Sequence, residues 1–164
     1  MAPNLLEDDA EVLVNTTNAF GVMGAGLALA FARRWPEILP PYQADCRKGV
    51  LHGGACVLYD LPSDIFNASP RKWAAFCTKH HWRDKSNYAF IEKGLTALKG
   101  EMKKYNLTSV AIPPLGCGLG GLDWAIVERM IAKAFSDTNI EVHIYTPQKT
   151  CYVFGRPNKT PIYP

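Results

Sequence analysis

The stretch "EVLVNTTNAFGVMGAGLALAFARRW" (Glu11–Trp35) holds an apolar run, a turn with three glycines and an amphipathic segment that stops before Pro36. Glu11 to Val14 reads as a short strand. "GLALAFARRW" reads as a helix broken by Pro36, because proline removes a backbone donor and clashes with the preceding turn. The same unit recurs downstream. "TSVAIPPLGCGLGGLDW" gives a strand (Ser109 to Ile112), a second glycine-rich turn, and a helix with Trp124, Val127, Ile131 and Phe135 on its buried face. Between the two units, "ACVLYDL" and "WAAFCTK" read as neighbouring strands joined by the polar connection "PSDIFNASPRK". Tyr88, Ile91, Leu95, Leu98 and Met102 form the stripe of an amphipathic helix, with Ser86 available as its N-cap. "EVHIYTP" closes the series as a β-branched strand. Alternation of this kind predicts an α/β fold, a largely parallel sheet covered by helices on both faces.

Composition agrees with one domain. A chain of 164 residues that is 48% hydrophobic fills one good core and leaves little for a second. The net charge of +3 permits contact with a polyanion without requiring it. Five cysteines (Cys46, Cys56, Cys77, Cys117, Cys151) are odd in number and contain no CxxC pair, which argues against a disulfide framework and a zinc ribbon. No stretch approaches the ~18 apolar residues of a membrane span. The start "MAPNLLEDDAE" lacks the basic and apolar regions of a signal peptide. The expectation is a cytoplasmic protein with no membrane contact.

Two glycine turns at strand ends carry a chemical meaning. In open α/β sheets, ligands bind beyond the carboxyl ends of the strands, and glycines let backbone N–H groups approach an anion. A helix N-terminus adds favourable partial charge, so two such loops suit a diphosphate. For either loop alone, a plain tight turn is an equal reading. Neither is a Walker motif, since "GVMGAG" and "GCGLGG" lack the following Lys-Ser/Thr. The first loop runs G-x-x-G-x-G, so it is not the dinucleotide fingerprint either.

"VNTTN" followed by "GVMGAGLA", with "IPPLGCGLGGLDW" and "IYTP" later, resembles the macrodomain family of ADP-ribose-binding and ADP-ribose-hydrolysing proteins, over about Asn4 to Pro147. "TKHHWRDKS" makes the likeness closer to the DarG-type branch, antitoxins that remove ADP-ribose placed on DNA bases by a partner toxin. The resemblance implies a three-layer α/β/α macrodomain with a mixed, largely parallel sheet over residues 1–147, and residues 148–164 as a C-terminal extension packed on it or trailing from it. It implies ADP-ribose as ligand and product, no cofactor and no metal. ADP-ribosylated single-stranded DNA is the implied substrate, and a DNA ADP-ribosyltransferase toxin an implied partner. Such antitoxins often carry a second, toxin-binding region, for which this chain is too short.

By the same resemblance, Asn18 contacts the distal ribose, and Val22, Met23, Gly24, Ala25 and Gly26 wrap the phosphates. Gly116, Cys117, Gly118, Leu119, Gly120 and Gly121 close the other side, Tyr145 lies near the adenine, and Asn4, Leu5 and Thr78 complete the contacts. Asn15 reads equally as a ligand contact and as a strand-end residue bonding the backbone. Lys79 is the implied catalytic residue. It follows "WAAFCT" directly, so a strand end can hold it in the cleft, and a neutral amine is a good nucleophile toward an oxocarbenium-like carbon. His80, His81, Arg83 and Lys85 are nearby cations that would favour the neutral form.

Two departures from the family pattern stand out. A related protein-directed branch carries an acid in the second loop where this chain has Gly120, so the general acid is unassigned; Asp123 reads as a helix N-cap. Members usually open with a strand and Gly-Asp-Leu, whereas "PNLLEDDAE" puts Asn4 at the aspartate's place, and "TCYVFG" is a candidate to cover the bared sheet edge. His80 and His81 near Cys77 lack the ligand count of a zinc site. Cys117 reads as packing more readily than as a nucleophile, and "HWRDK" equally as a DNA-stacking segment or a solvated loop. A protein-directed ADP-ribosyl hydrolase, an O-acetyl-ADP-ribose deacylase and a non-catalytic ADP-ribose reader are the alternatives.

Overall fold

The computed structural model describes residues 4–62 and 71–155, and the backbone of 161–163. Most of the connection "PSDIFNASPRK" lies outside the described residues. Seven strands form one sheet: β1 (Val12–Asn18), β2 (Cys56–Asp60), β3 (Lys72–Lys79), β4 (Ser109–Ile112), β5 (Glu141–Tyr145), β6 (Cys151–Phe154) and β7 (Pro161–Tyr163), in the order β2-β3-β1-β4-β5-β6-β7. The central four, β3-β1-β4-β5, run parallel, while β2, β6 and β7 pair antiparallel at the two sides.

The parallel strands read as continuous apolar runs because both their faces are covered. Side chains alternate between two cores. Val12, Val14, Ala74, Phe76, Val110, Ile112, Val142 and Ile144 meet the stripe Ile91, Leu95, Leu98 and Met102 of α3 (Tyr88–Lys104) and Val127, Ile131 and Phe135 of α4 (Trp124–Phe135). Leu13, Trp73, Ala75, Cys77 and Ala111 face the other way. They meet Phe31 of α1 (Gly26–Arg34), Tyr42 of α2 (Leu39–Arg47) and Ile38 between them. This is the three-layer α/β/α arrangement, with layers fixed by the period of two along each strand.

Several local expectations change. β1 continues through Asn18, so "NTTN" is strand and the glycine turn starts later. Ser86 is not the N-cap of α3. Asn87 is, its Oδ1 accepting from the Phe90 N–H at 2.9 Å, because Asn87 has the extended backbone that a cap needs. Asp123 caps α4 through the Ala125 N–H at 2.9 Å. The "TCYVFG" segment is attached, as β6 along β5 with Cys151 and Val153 buried. At the other end, Asn4 caps a short 3-10 helix (Leu5–Glu7), and Asp8 anchors the segment to β5, accepting from Tyr145 Oη at 2.6 Å and pairing with His143 Nδ1 at 2.7 Å. Among the described residues no helix is long and apolar enough to cross a membrane.

Candidate active site

β1, β3 and β4 point their carboxyl ends the same way, and beyond them lies a cavity of about 520 Å³. That volume falls within the ~300–1,000 Å³ range usual for small-ligand sites. Each wall is one of the glycine turns.

Asn18, the last residue of β1, shapes the first wall. Its Oδ1 accepts from the backbone N–H groups of Phe20 (3.0 Å), Gly21 (3.1 Å) and Val22 (3.3 Å), and its Nδ2 donates to the Val22 carbonyl at 2.8 Å. Tyr42 Oη, from α2 beneath, reaches the Asn18 carbonyl at 2.7 Å and Oδ1 at 3.1 Å. One buried side chain thus folds the loop over itself and leaves Gly24, Ala25 and Gly26 facing the cavity. α1 then starts with Ala25 as N-cap and no side-chain cap, unlike α3 and α4. Its first residues, Gly26, Leu27 and Ala28, line the cavity, so the unbonded donors of a helix N-terminus face the space where an anion would sit.

The second wall is a tight backbone knot. Gly116, at φ 71°, accepts from the Leu122 N–H at 2.9 Å, and the Gly121 N–H donates to the Gly118 carbonyl at 3.2 Å. The segment after β3 ties in as well. Ser86 N–H donates to the Gly120 carbonyl at 3.1 Å, and Lys85 Nζ to the Leu119 carbonyl at 3.3 Å. This packing explains the glycine where a related branch has an acid. A Cβ at position 120 would lie 2.3 Å from Ser86 Oγ and 2.6 Å from the Gly116 carbonyl oxygen, so no larger residue fits this loop.

Lys79 ends β3. Along the β1–β3 ladder Thr17 faces Cys77 but Asn18 faces Lys79, so Thr78 is an extra residue, a bulge. Successive strand residues normally point to opposite faces; a bulge breaks that alternation and re-aims side chains. Thr78 and Lys79 accordingly both line the cavity. Lys79 is the one ionisable side chain among the lining residues, which include no carboxylate.

Of the residues implied by resemblance, Asn18, Val22, Gly24, Ala25, Gly26, Thr78, Lys79, Gly116, Gly118, Leu119 and Gly120 line the cavity. Asn4, Leu5, Met23, Cys117, Gly121 and Tyr145 stand outside this lining. Leu5 and Met23 are buried in the α1/α2 core, Asn4 holds the 3-10 turn, and the Tyr145 hydroxyl is engaged by Asp8. Asn15 is buried within β1, its Nδ2 3.7 Å from Met23 Sδ and its Oδ1 without a hydrogen-bond partner among the described residues. Burial first, with Asp123 adding to it, pushes the Cys117 thiol up to about 11, which leaves it a poor nucleophile near neutrality. Cys77 is likewise raised to about 12 by burial, and lies under the sheet rather than beside the exposed His80.

The lining also includes residues that the motifs did not mark: Thr16, Thr17, Leu27, Ala28, Trp82, Ser86 and Pro114. Thr16 and Thr17 belong to the "NTTN" end of β1, so the true strand length was the missing signal. Ser86 is displaced from capping and packs under Gly120, its hydroxyl buried with no hydrogen-bond partner among the described residues.

A family model for the Macro domain matches residues 14–131, and the chain belongs to that family. The DNA ADP-ribosyl glycohydrolase of Mycobacterium tuberculosis is 41% identical over 150 residues, covering 88% of this chain and 40% of that protein. A Thermosipho africanus DNA ADP-ribosyl transferase-DNA ADP-ribosyl glycohydrolase fusion protein is 36% identical over 149 residues, covering 84% of this chain and 38% of the fusion. The chain therefore spans about 40% of the length of these curated relatives. Among solved structures, the macrodomain of Mycobacterium tuberculosis DarG superposes with a TM-score of 0.81 at 40% identity, covering 90% of this chain and 95% of that one. Thermosipho africanus DarTG in complex with ADP-ribose gives a TM-score of 0.77 at 36% identity, covering 84% of this chain and 38% of that one.

Proposed function

We propose that this macrodomain removes ADP-ribose from ADP-ribosylated DNA bases, with Lys79 as its catalytic residue. The observation that carries the reading is the lone ionisable lining group: a lysine aimed by a β-bulge into a cavity walled by two glycine turns and an uncapped helix N-terminus. The helix N-terminus and the backbone N–H groups of the first loop suit the diphosphate of ADP-ribose, which brings the distal ribose toward the end of β3. There the neutral Lys79 amine adds to the anomeric carbon. The bond from that carbon to the base nitrogen breaks, and its electron pair goes to the base, which takes a proton from water. A water molecule then displaces the amine, giving free ADP-ribose and restoring Lys79, so that one water is consumed per base released. The sequence similarity to proteins named DNA ADP-ribosyl glycohydrolases supports the DNA base as leaving group.

The same reading makes a DNA ADP-ribosyltransferase the source of the substrate and a candidate partner; the fused transferase in the Thermosipho africanus relative supports it. It places the protein in the cytoplasm, which the five free thiols suit, since a reducing compartment keeps cysteines unpaired. The test is release of free ADP-ribose from single-stranded DNA bearing ADP-ribosylated thymine or guanine, with an ADP-ribosylated protein and O-acetyl-ADP-ribose alongside. Release from DNA is the expected result. Release only from the protein or the acetyl ester, or binding of ADP-ribose with no release from any of them, would replace this reading.

A further inference from the structure

Six large hydrophobic side chains are notably exposed among the described residues, and four of them gather at this cavity. Val22, Trp82 and Leu119 line it, and Phe20 stands beside it against His81. Scattered exposed apolar groups are ordinary, but a cluster at the mouth of a site marks contact with something large. Here the cluster is ordered. The Phe20 ring lies 4.6 Å from that of His81, His81 stacks on Trp82 at 5.4 Å with an interplanar angle of 27°, and the Arg83 guanidinium sits 4.5 Å over the Trp82 ring. Phe20 remains 58% exposed and Trp82 42%. Backbone contacts brace the row: His81 N–H donates to Asp84 Oδ2 at 2.9 Å, and Arg83 N–H to His81 Nδ1 at 3.1 Å.

We propose that Phe20, His81, Trp82 and Arg83 form a stacking platform for the unmodified bases that flank the ADP-ribosylated base of a single DNA strand; this rests on the DNA-directed reading above. Trp82 belongs to both the cavity lining and the row, so a strand whose modified base is held at Lys79 passes directly onto the aromatic surface. The charge fits a phosphodiester chain. Residues 79–85 carry Lys79, His80, His81, Arg83 and Lys85 against the single acid Asp84, whose carboxylate is engaged by the His81 amide. Aromatic faces interleaved with cations are how single strands are gripped without sequence preference, since every base has a face to stack. A duplex keeps its base faces covered and could not use this surface.

The test compares two substrates, a single-stranded oligonucleotide carrying one ADP-ribosylated base and the same ADP-ribosylated nucleoside as a free monophosphate. Phe20→Ala and Arg83→Ala are assayed because neither side chain lines the cavity, with Phe20→Trp as the conservative variant. The native protein is expected to favour the oligonucleotide. The alanine variants should raise KM on the oligonucleotide by about 5- to 100-fold, the range of one lost base stack, while leaving the monophosphate rate unchanged. Phe20→Trp should retain the preference. Equal native rates on both substrates, or an unchanged oligonucleotide KM in the alanine variants, would overturn the platform and leave the DNA reading standing. Cleavage of neither substrate by the native protein would overturn both. ADP-ribose affinity and Tm of each variant separate a lost platform from a misfolded loop.

Discussion

Gly120→Ala should damage the site although it adds a single methyl. The new Cβ would lie 2.3 Å from Ser86 Oγ, 2.6 Å from the Gly116 carbonyl oxygen and 2.9 Å from Ser86 Cβ. The first contact belongs to a short side chain held in the same knot and the second to backbone, so the loop must shift. Overpacking of this kind costs about 1–3 kcal/mol. For a chain of this size that corresponds to a fall in Tm of roughly 2–12 °C. Gly118→Ala is the matched control in the same turn, because a Cβ there meets nothing within 4 Å, and its effect should stay within about 0.5 kcal/mol. Ser86→Ala removes a buried hydroxyl that has no hydrogen-bond partner among the described residues, so it should be close to neutral by itself. Combined with Gly120→Ala it should recover part of the loss, because one of the three close contacts disappears. Thermal denaturation and calorimetric titration with ADP-ribose measure both consequences, with affinity expected to fall for Gly120→Ala alone and partly return in the double variant. A Gly120→Ala protein as stable and as tightly binding as Gly118→Ala would refute the packing account, and with it the reason for the missing acid in this loop.

Asn18→Ala would remove the acceptor for three backbone N–H groups and the donor to Val22, so Tm should drop and ADP-ribose binding weaken together. Leaving even one buried group unsatisfied costs about 1–3 kcal/mol, and Asn18→Asp should not rescue, since its second oxygen would face the Val22 carbonyl. For His143, burial opposes the charged form but hydrogen bonds from Asp8 and Glu141 outweigh it and raise the pKa above 6.5. For Asp8, burial is likewise outweighed by His143 and Tyr145, which hold its carboxyl below 3.8. The His143 contribution is therefore full below about pH 6.5 and lost as pH rises through its folded value, and that of Asp8 is lost only as pH falls below its ordinary range. Tm should decline from pH 6 into the alkaline range in the native protein and flatten over that interval in His143→Gln. Because the proposed chemistry uses only Lys79 and water, turnover should be unchanged by a strong chelator, measured as ADP-ribose release with and without it.

The sheet and its two cores were legible because the core strands are uninterrupted apolar runs and the stripe from Tyr88 to Met102 has an unambiguous helical period. α2 was not, since Pro36, Pro40 and Pro41 read as breakers; two of them occupy its first turn, where a missing N–H is harmless. The two glycine walls and Lys79 followed from motif resemblance, but the means of aiming Lys79 did not. The bulge at Thr78 depends on register against β1, which no local pattern encodes. Ser86 looked like a cap because serine caps helices; Asn87 next to it does so equally well and frees Ser86 to pack under Gly120. Asn18 looked like a ligand contact, whereas its side-chain hydrogen bonds fold the loop that makes the wall. Such roles arise from contacts between distant segments, and a single sequence does not display them.

The central claim is that Lys79 performs chemistry in the cavity, beyond lining it. The most direct measurement is the single-turnover rate of ADP-ribose release from ADP-ribosylated single-stranded DNA by the native protein, Lys79→Ala and Lys79→Arg, with ADP-ribose affinity determined for each by calorimetry. Loss of a nucleophile should lower the rate by at least about 100-fold in both variants, because arginine keeps the charge but cannot serve as a neutral amine, while ADP-ribose affinity changes by less than tenfold. Native-like release by Lys79→Arg would reduce Lys79 to an electrostatic role, and native-like release by Lys79→Ala would contradict the account outright.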